Sequence, residues 1–186
     1  MTQLTYAGIG SRETPPEIQQ TMRTVAAELG ARGWLLRSGH AEGADIAFEM
    51  GAKDLPKEIY LPWQGFNGGR AGAGGIDGAI NPATLSSYKQ AVAYAEYFHP
   101  AWEKCSQGAR ALHTRNVYQI LGQNLDTPVK CVVCWTKDGK SSGGTGQALR
   151  LAEYLEIPIF NLHDPAQLDK LATYVLQTEL ELEHTK

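Results

Sequence analysis

Three short stretches of this chain combine glycine with hydroxyl or charged side chains, the makings of an anion site. They are Gly8-Ile9-Gly10-Ser11-Arg12, Ser38-Gly39-His40-Ala41-Glu42-Gly43-Ala44-Asp45 and Ser141-Ser142-Gly143-Gly144-Thr145-Gly146. Glycine lacks a Cβ, so backbone N–H groups can approach an anion closely. Arg12 adds a guanidinium able to clamp a phosphate through two hydrogen bonds. Ser38 and Thr145 offer hydroxyls. Gly43-Ala44 reads as a helix start, whose unpaired N–H groups favour an anion by about 0.3–1 kcal/mol. Asp45 has three readings: a helix cap, a partner that orients Arg12, or an acceptor for a ribose hydroxyl. A lone G-x-G is equally a tight turn beside a solvated arginine. Three such turns on one sheet edge reinforce each other. The expectation is that Arg12, Ser38 and Thr145 converge on one anion. Gly8, Gly10, Ser11, Gly39, Gly43, Ala44, Gly143 and Gly144 would shape the backbone around it.

Other candidates weigh less. Trp135 ends the most apolar segment and either stacks a base or caps the core. Arg115-Asn116 sits in a helical pattern, where a solvated face is the plain alternative. His40 reads as a solvated turn residue. Cys131 and Cys134 are three apart on an extended segment, so they point to opposite faces and cannot share a metal ion. They read as small buried hydrophobes. The histidines show no paired ligand spacing. No metal site and no cofactor is expected.

These turns must be held by regular elements. Apolar runs alternate with amphipathic stretches, the signature of βα units. Strands are expected at Leu4–Ala7, Trp34–Arg37, Glu58–Leu61, Val129–Trp135 and Ile159–Leu162. Thr14-Pro15-Pro16-Glu17 resembles a helix start with Thr14 as cap and Glu17 closing a capping box. Further helices are expected at about Ala44–Met50, from Leu85, over Ala101–Leu125, over Thr145–Leu155 and over Pro165–Thr178. The 62–82 segment carries seven glycines (65, 68, 69, 72, 74, 75 and 78) and no period, so it reads as a long loop or lid. The fold class is α/β: a Rossmann-like, mainly parallel sheet of about five strands, order 3-2-1-4-5, with helices on both faces. One domain covers residues 1–178, with a charged tail at 179–186 that should fray. Ligands in such sheets bind where the strand order reverses, here between the first and fourth strands.

Bulk composition narrows the function. The 186 residues are 42% hydrophobic and 20% charged, ordinary globular usage. No apolar run approaches the ~20 residues of a membrane span. The N-terminus lacks the pattern of a signal peptide, and three cysteines give no disulfide framework, so a cytoplasmic location is expected. The net charge of −3 and the absence of a basic stripe weigh against gripping long nucleic acid. The aromatic residues Tyr88, Tyr94, Tyr97, Phe98 and Trp102 exceed what a solvated face needs and suggest a symmetric homo-oligomer, the plain alternative being that they fill the domain's own core.

The order of these motifs resembles the Rossmann-like core of DNA-processing protein A, a recombination mediator acting on single-stranded DNA. The likeness rests on Gly8–Arg12, on Ser38–Asp45, on Arg115-Asn116 and on Ser142-Gly143-Gly144-Thr145, and it spans roughly residues 4–162. The wider superfamily includes the LOG phosphoribohydrolases and the ligand-sensing SLOG domains. A stand-alone core with a Gly-rich lid is similar to small phage or mobile-element members. LOG enzymes carry P-G-G-x-G-T-x-x-E, and here Arg150 takes the place of that Glu. The leading reading is a nucleotide or nucleotide-derived phosphate ligand. Two alternatives stay open: a single-stranded DNA-binding module, and an N-glycosidase on nucleoside monophosphates using Glu42, Asp45 or Glu49.

Overall fold

The computed structural model describes residues 3–184. All strands join one parallel sheet. In chain order they are β1 (Thr5–Gly8), β2 (Leu35–Ser38), β3 (Lys57–Tyr60), β4 (Ala79–Ile80), β5 (Cys131–Cys134) and β6 (Ile159–Asn161). The helices are α1 (Pro16–Ala31), α2 (Ala44–Gly51), α3 (Tyr88–Phe98), α4 (Gln107–Leu121), α5 (Gly146–Tyr154) and α6 (Ala166–His184). The strand order is β4-β3-β2-β1-β5-β6. This is the expected order with one edge strand added. The extra strand comes from the Gly-rich segment, where Ala79 and Ile80 pair with Ile59 and Tyr60.

The sheet is sealed on both faces because its strands alternate. Along β5, Cys131 and Val133 join one core with α1, α2 and α6, while Val132 and Cys134 join the other with α3, α4 and α5. Each cysteine is thus a buried apolar group on its own face, and burial pushes both thiols up to about 12. Among the described residues no helix is long and apolar enough to cross a membrane.

Three of the departures from the expected element boundaries have a clear local reason. The capping box at Thr14 does not form: Pro15 is extended (ψ 148°) and α1 starts at Pro16 with no side-chain cap. A residue before proline is pushed out of the helical region, so the second proline delays the helix. The Thr14 hydroxyl instead donates to the Ser11 carbonyl at 2.6 Å. The helix expected over Ala101–Leu125 is divided into a 3-10 turn, Trp102–Lys104, and α4. Ser106 caps α4 by accepting the Ala109 N–H at 3.2 Å, and Gly122 (φ 75°) ends it. The charged tail does not fray at 179: α6 runs to His184, and Glu179 accepts from Arg32 and from Trp34 Nε1 (2.9 Å).

Candidate functional site

β1 and β5 are neighbours, yet their following helices lie on opposite faces of the sheet. The two outgoing loops therefore diverge and leave a crevice of about 550 Å³ at the strands' carboxyl ends. One side is the first loop, Gly10 to Glu13. The opposite side is Thr136, Lys137 and Ser142 to Thr145. α4 forms a wall with Leu112, His113, Asn116 and Gln119, and Asp45 and Arg115 lie at depth.

Of the expected residues, the crevice gathers Gly10, Ser11, Arg12, Asp45, Arg115, Asn116, Gly143, Gly144 and Thr145. The remaining six lie elsewhere, for packing reasons. Ser38 is the last residue of β2 and fully buried; its hydroxyl donates to the Gly8 carbonyl at 2.7 Å. It cannot reach an anion beside Arg12. Gly8 packs under Phe48, where a Cβ would come within 2.6 Å of the ring. Gly39 lies against the Arg115 guanidinium, and its carbonyl accepts from Arg115 Nη1. Gly43 (φ 79°) crosses the first loop, and a Cβ there would lie 2.5 Å from the Ser11 carbonyl oxygen. Ala44 donates its N–H to that same oxygen at 3.3 Å. Trp135 is buried against the core, and its carbonyl accepts the Ser11 N–H at 3.0 Å.

These contacts correct the picture of three helix N-termini aimed at one anion. The start of α2 is occupied by the Ser11 carbonyl and by Asp45 itself. The start of α1 is a pair of prolines, one of them inside the helix. In the first loop the amides of Ile9, Ser11 and Glu13 bond within the protein, and Gly10 donates to Asp45. What that loop offers a ligand is the Arg12 side chain, which is exposed and makes no hydrogen bond or ion pair among the described residues. The third loop is different. Gly143 and Gly144 are exposed, with nothing within 4 Å of where a Cβ would stand.

A polar clamp ties these parts together. Arg115 and Asn116 are both buried. Arg115 Nη1 lies 3.6 Å from Asp45 Oδ2, and Asn116 Nδ2 donates to the Gly144 carbonyl at 3.1 Å. One turn of α4 thereby fixes both the second and the third loop. The pair is not strong enough to hold Asp45 in the usual carboxylate range. Burial pushes that carboxyl up to about 6, against the opposing pull of Arg115 and of the Ala41 and Gly10 amides. Beside it, Gln119 Nε2 is buried with no hydrogen-bond partner in the protein. The Gly-rich segment also reaches the clamp: Phe66 lies under the Arg115 guanidinium at 5.9 Å and packs edge-on with Trp63 at 5.2 Å.

Several neighbours escaped the sequence reading. Lys137 stands at the crevice rim, 3.2 Å from Glu13, with both side chains exposed. Its place two residues beyond the fourth expected strand was a usable signal. Trp63 is 41% exposed and its ring lies beside Gly108 at the start of α4. His113 and Gln119 gave no signal beyond helical periodicity. His40 is not a free turn residue: Nδ1 pairs with Glu49 at 2.7 Å, and its carbonyl accepts from Asn67. That leaves Glu49 engaged and Glu42 exposed outside the crevice. Arg150 braces the Phe98 and Ser141 carbonyls, at 2.9 and 3.2 Å. No metal site is expected from histidine spacing, yet the fold draws His99, Cys105 and His113 together beside α4, with His113 on the crevice wall.

No protein-family model matches this chain, and no curated protein matches it in sequence. In structure it is similar to DNA processing protein A from Helicobacter pylori, solved to describe that protein's single-stranded DNA binding mode. The likeness covers 95% of this chain and 82% of that one, with a TM-score of 0.55 and 16% sequence identity. At that identity the fold is what the two share.

Proposed function

We propose that this chain binds single-stranded nucleic acid by its phosphates, across the crevice between the first and third loops. The observation that carries this reading is the rim. Arg12 and Lys137 project there from neighbouring loops, facing the bare backbone of Gly143-Gly144. A surface ion pair such as Lys137–Glu13 contributes roughly 0–1 kcal/mol, so a phosphodiester can displace Glu13 at small cost. Each phosphodiester carries one charge, so two cations suit a short stretch of strand. The net charge of −3 then limits binding to this local patch rather than to an extended track. Trp63 supplies the second element of single-strand recognition, an exposed ring for base stacking. The shared fold with a protein that binds single-stranded DNA supports the same direction.

A nucleotide ligand is the second reading, and one observation favours it. Asp45 and the unpartnered Gln119 amide lie deep in the crevice, placed to read a base edge or a ribose hydroxyl. Cleavage of an N-glycosidic bond has less support, because Asp45 is the one carboxylate of the three candidates inside the crevice and Arg150 is occupied in bracing. The test compares a fluorescent oligothymidylate with thymidine monophosphate by anisotropy and competition. The single-strand reading expects the oligonucleotide to bind at least about tenfold tighter, or about 1.4 kcal/mol. Tighter binding of the monophosphate would favour the nucleotide reading. Binding of neither would end both.

A further inference from the structure

We propose that His99, Cys105 and His113 form a binding site for a borderline-soft divalent ion of the zinc type. Their ligand atoms all lie within 4.8 Å of one another. Cys105 Sγ is 3.7 Å from both ring nitrogens of His99. A tetrahedral ion with Zn–S of about 2.3 Å and Zn–N of about 2.05 Å would separate sulfur from nitrogen by about 3.6 Å. The Sγ–Nδ1 distance already matches; because Sγ is equally far from Nε2, the His99 ring must turn to aim Nδ1 at the ion. His113 must close in by roughly an ångström, a side-chain rotation on α4.

The plain alternative is a cysteine making weak hydrogen bonds. Sγ does lie 3.7 Å from the Ala101 carbonyl. That alternative does not account for His113. Its Nδ1 is buried with no hydrogen-bond partner, an unfavourable state for a ring nitrogen unless something ligates it. The His113 and His99 ring centroids are 4.3 Å apart, and the same rotation of the His113 ring would aim Nδ1 at an ion held between them and Sγ. Nδ1 of His99 accepts the Ala101 N–H at 3.1 Å, so it carries a lone pair and the ring proton sits on Nε2. That is the tautomer in which Nδ1 can ligate, releasing the Ala101 amide to solvent.

Thiolate and imidazole select zinc-like ions over magnesium or calcium, which need oxygen ligands. The Arg150 guanidinium, bonded to the Phe98 carbonyl next to His99, adds positive charge nearby. The Cys105 thiolate offsets it, which neutral imidazoles alone could not. The ligands come from the end of α3, the turn before α4 and the middle of α4. A bound ion would clip this elbow and stiffen the crevice wall that carries His113. Three protein ligands leave a fourth position for water or an anion.

The test uses the untagged full-length chain, stripped with chelator and titrated with Zn2+ against a chromophoric competitor, and with Co2+ by absorption. The proposal expects one ion per chain, a thiolate-to-cobalt charge-transfer band, and a melting temperature raised by Zn2+. Cys105→Ser should abolish the band, and both Cys105→Ser and His113→Gln should weaken Zn2+ at least tenfold. His163→Gln, an exposed histidine elsewhere, should bind as the parent does. Melting without metal checks that each variant is folded, and His99→Gln replaces any that is not. A parent without the cobalt band, or folded variants that bind Zn2+ as the parent does, would overturn the proposal.

Discussion

Replacing Asp45 by asparagine should stabilise this protein at neutral pH, although it removes half of a buried ion pair. Asp45 is 3% exposed, and its carboxyl is raised from 3.8 to about 6 because burial outweighs the attraction of Arg115. A carboxylate with a raised folded pKa binds its proton more tightly in the folded protein. Its contribution is therefore favourable below about 3.8 and is lost as the pH rises through about 6. The gap between 3.8 and about 6 amounts to about 3 kcal/mol, at 1.36 kcal/mol per tenfold change in proton affinity. Asparagine mimics the protonated acid and escapes that penalty. The Asp45→Asn protein should then exceed the parent by about 3 kcal/mol at pH 8, and by about 1 kcal/mol at pH 4.5. Urea unfolding of both proteins at the two pH values measures this directly. A variant less stable than the parent at pH 8 would refute the reasoning, because Asp45–Arg115 attraction would then exceed the cost of burial.

Further outcomes follow from the crevice. Arg12→Ala should weaken oligothymidylate binding by about 1.5–3 kcal/mol with unchanged melting, since the side chain is exposed. Trp63→Ala should cost about 1–3 kcal/mol of binding, read by the same anisotropy titration, if the ring stacks a base. Gly43→Ala should destabilise by at least about 1–3 kcal/mol in urea, because φ is 79° and the new methyl meets the Ser11 carbonyl at 2.5 Å. Gly144→Ala should stay within about 0.5 kcal/mol of the parent in the same assay, since its surroundings are open. Of the aromatics expected at a homo-oligomer surface, Trp102 is buried and Tyr88, Tyr94 and Phe98 pack against the core, which leaves Tyr97 exposed beside Phe98; sedimentation velocity tests that expectation, and a monomeric parent would overturn it.

The sheet was legible because it depends on local periodicity. β-branched runs, helix punctuation and the handedness rule suffice to place β1 beside β5 and to locate the crevice. The role of each glycine was not legible. Gly10, Gly43 and Gly144 have the same sequence meaning, a place where backbone can approach something. In the first two cases that something is another stretch of this chain: Trp135 and Ala44 against Gly10, Ser11 against Gly43. Ser38 failed for a related reason, since one more residue of β2 turns its hydroxyl into the sheet. Arg115 and Asn116 are candidates by their place in the motif order, but that they are buried and brace the second and third loops shows only once α4 is laid across them. His99, Cys105 and His113 come from three elements and no spacing rule relates them.

The most direct test of the central claim is the salt dependence of oligothymidylate binding. Each phosphate neutralised on a single strand contributes about −0.7 to the slope of log K against log salt. Contacts from Arg12 and Lys137 predict a slope near −1.4, falling to near −0.7 in Arg12→Ala. A slope near zero, or one that Arg12→Ala leaves unchanged, would contradict a phosphate-binding crevice at this sheet edge.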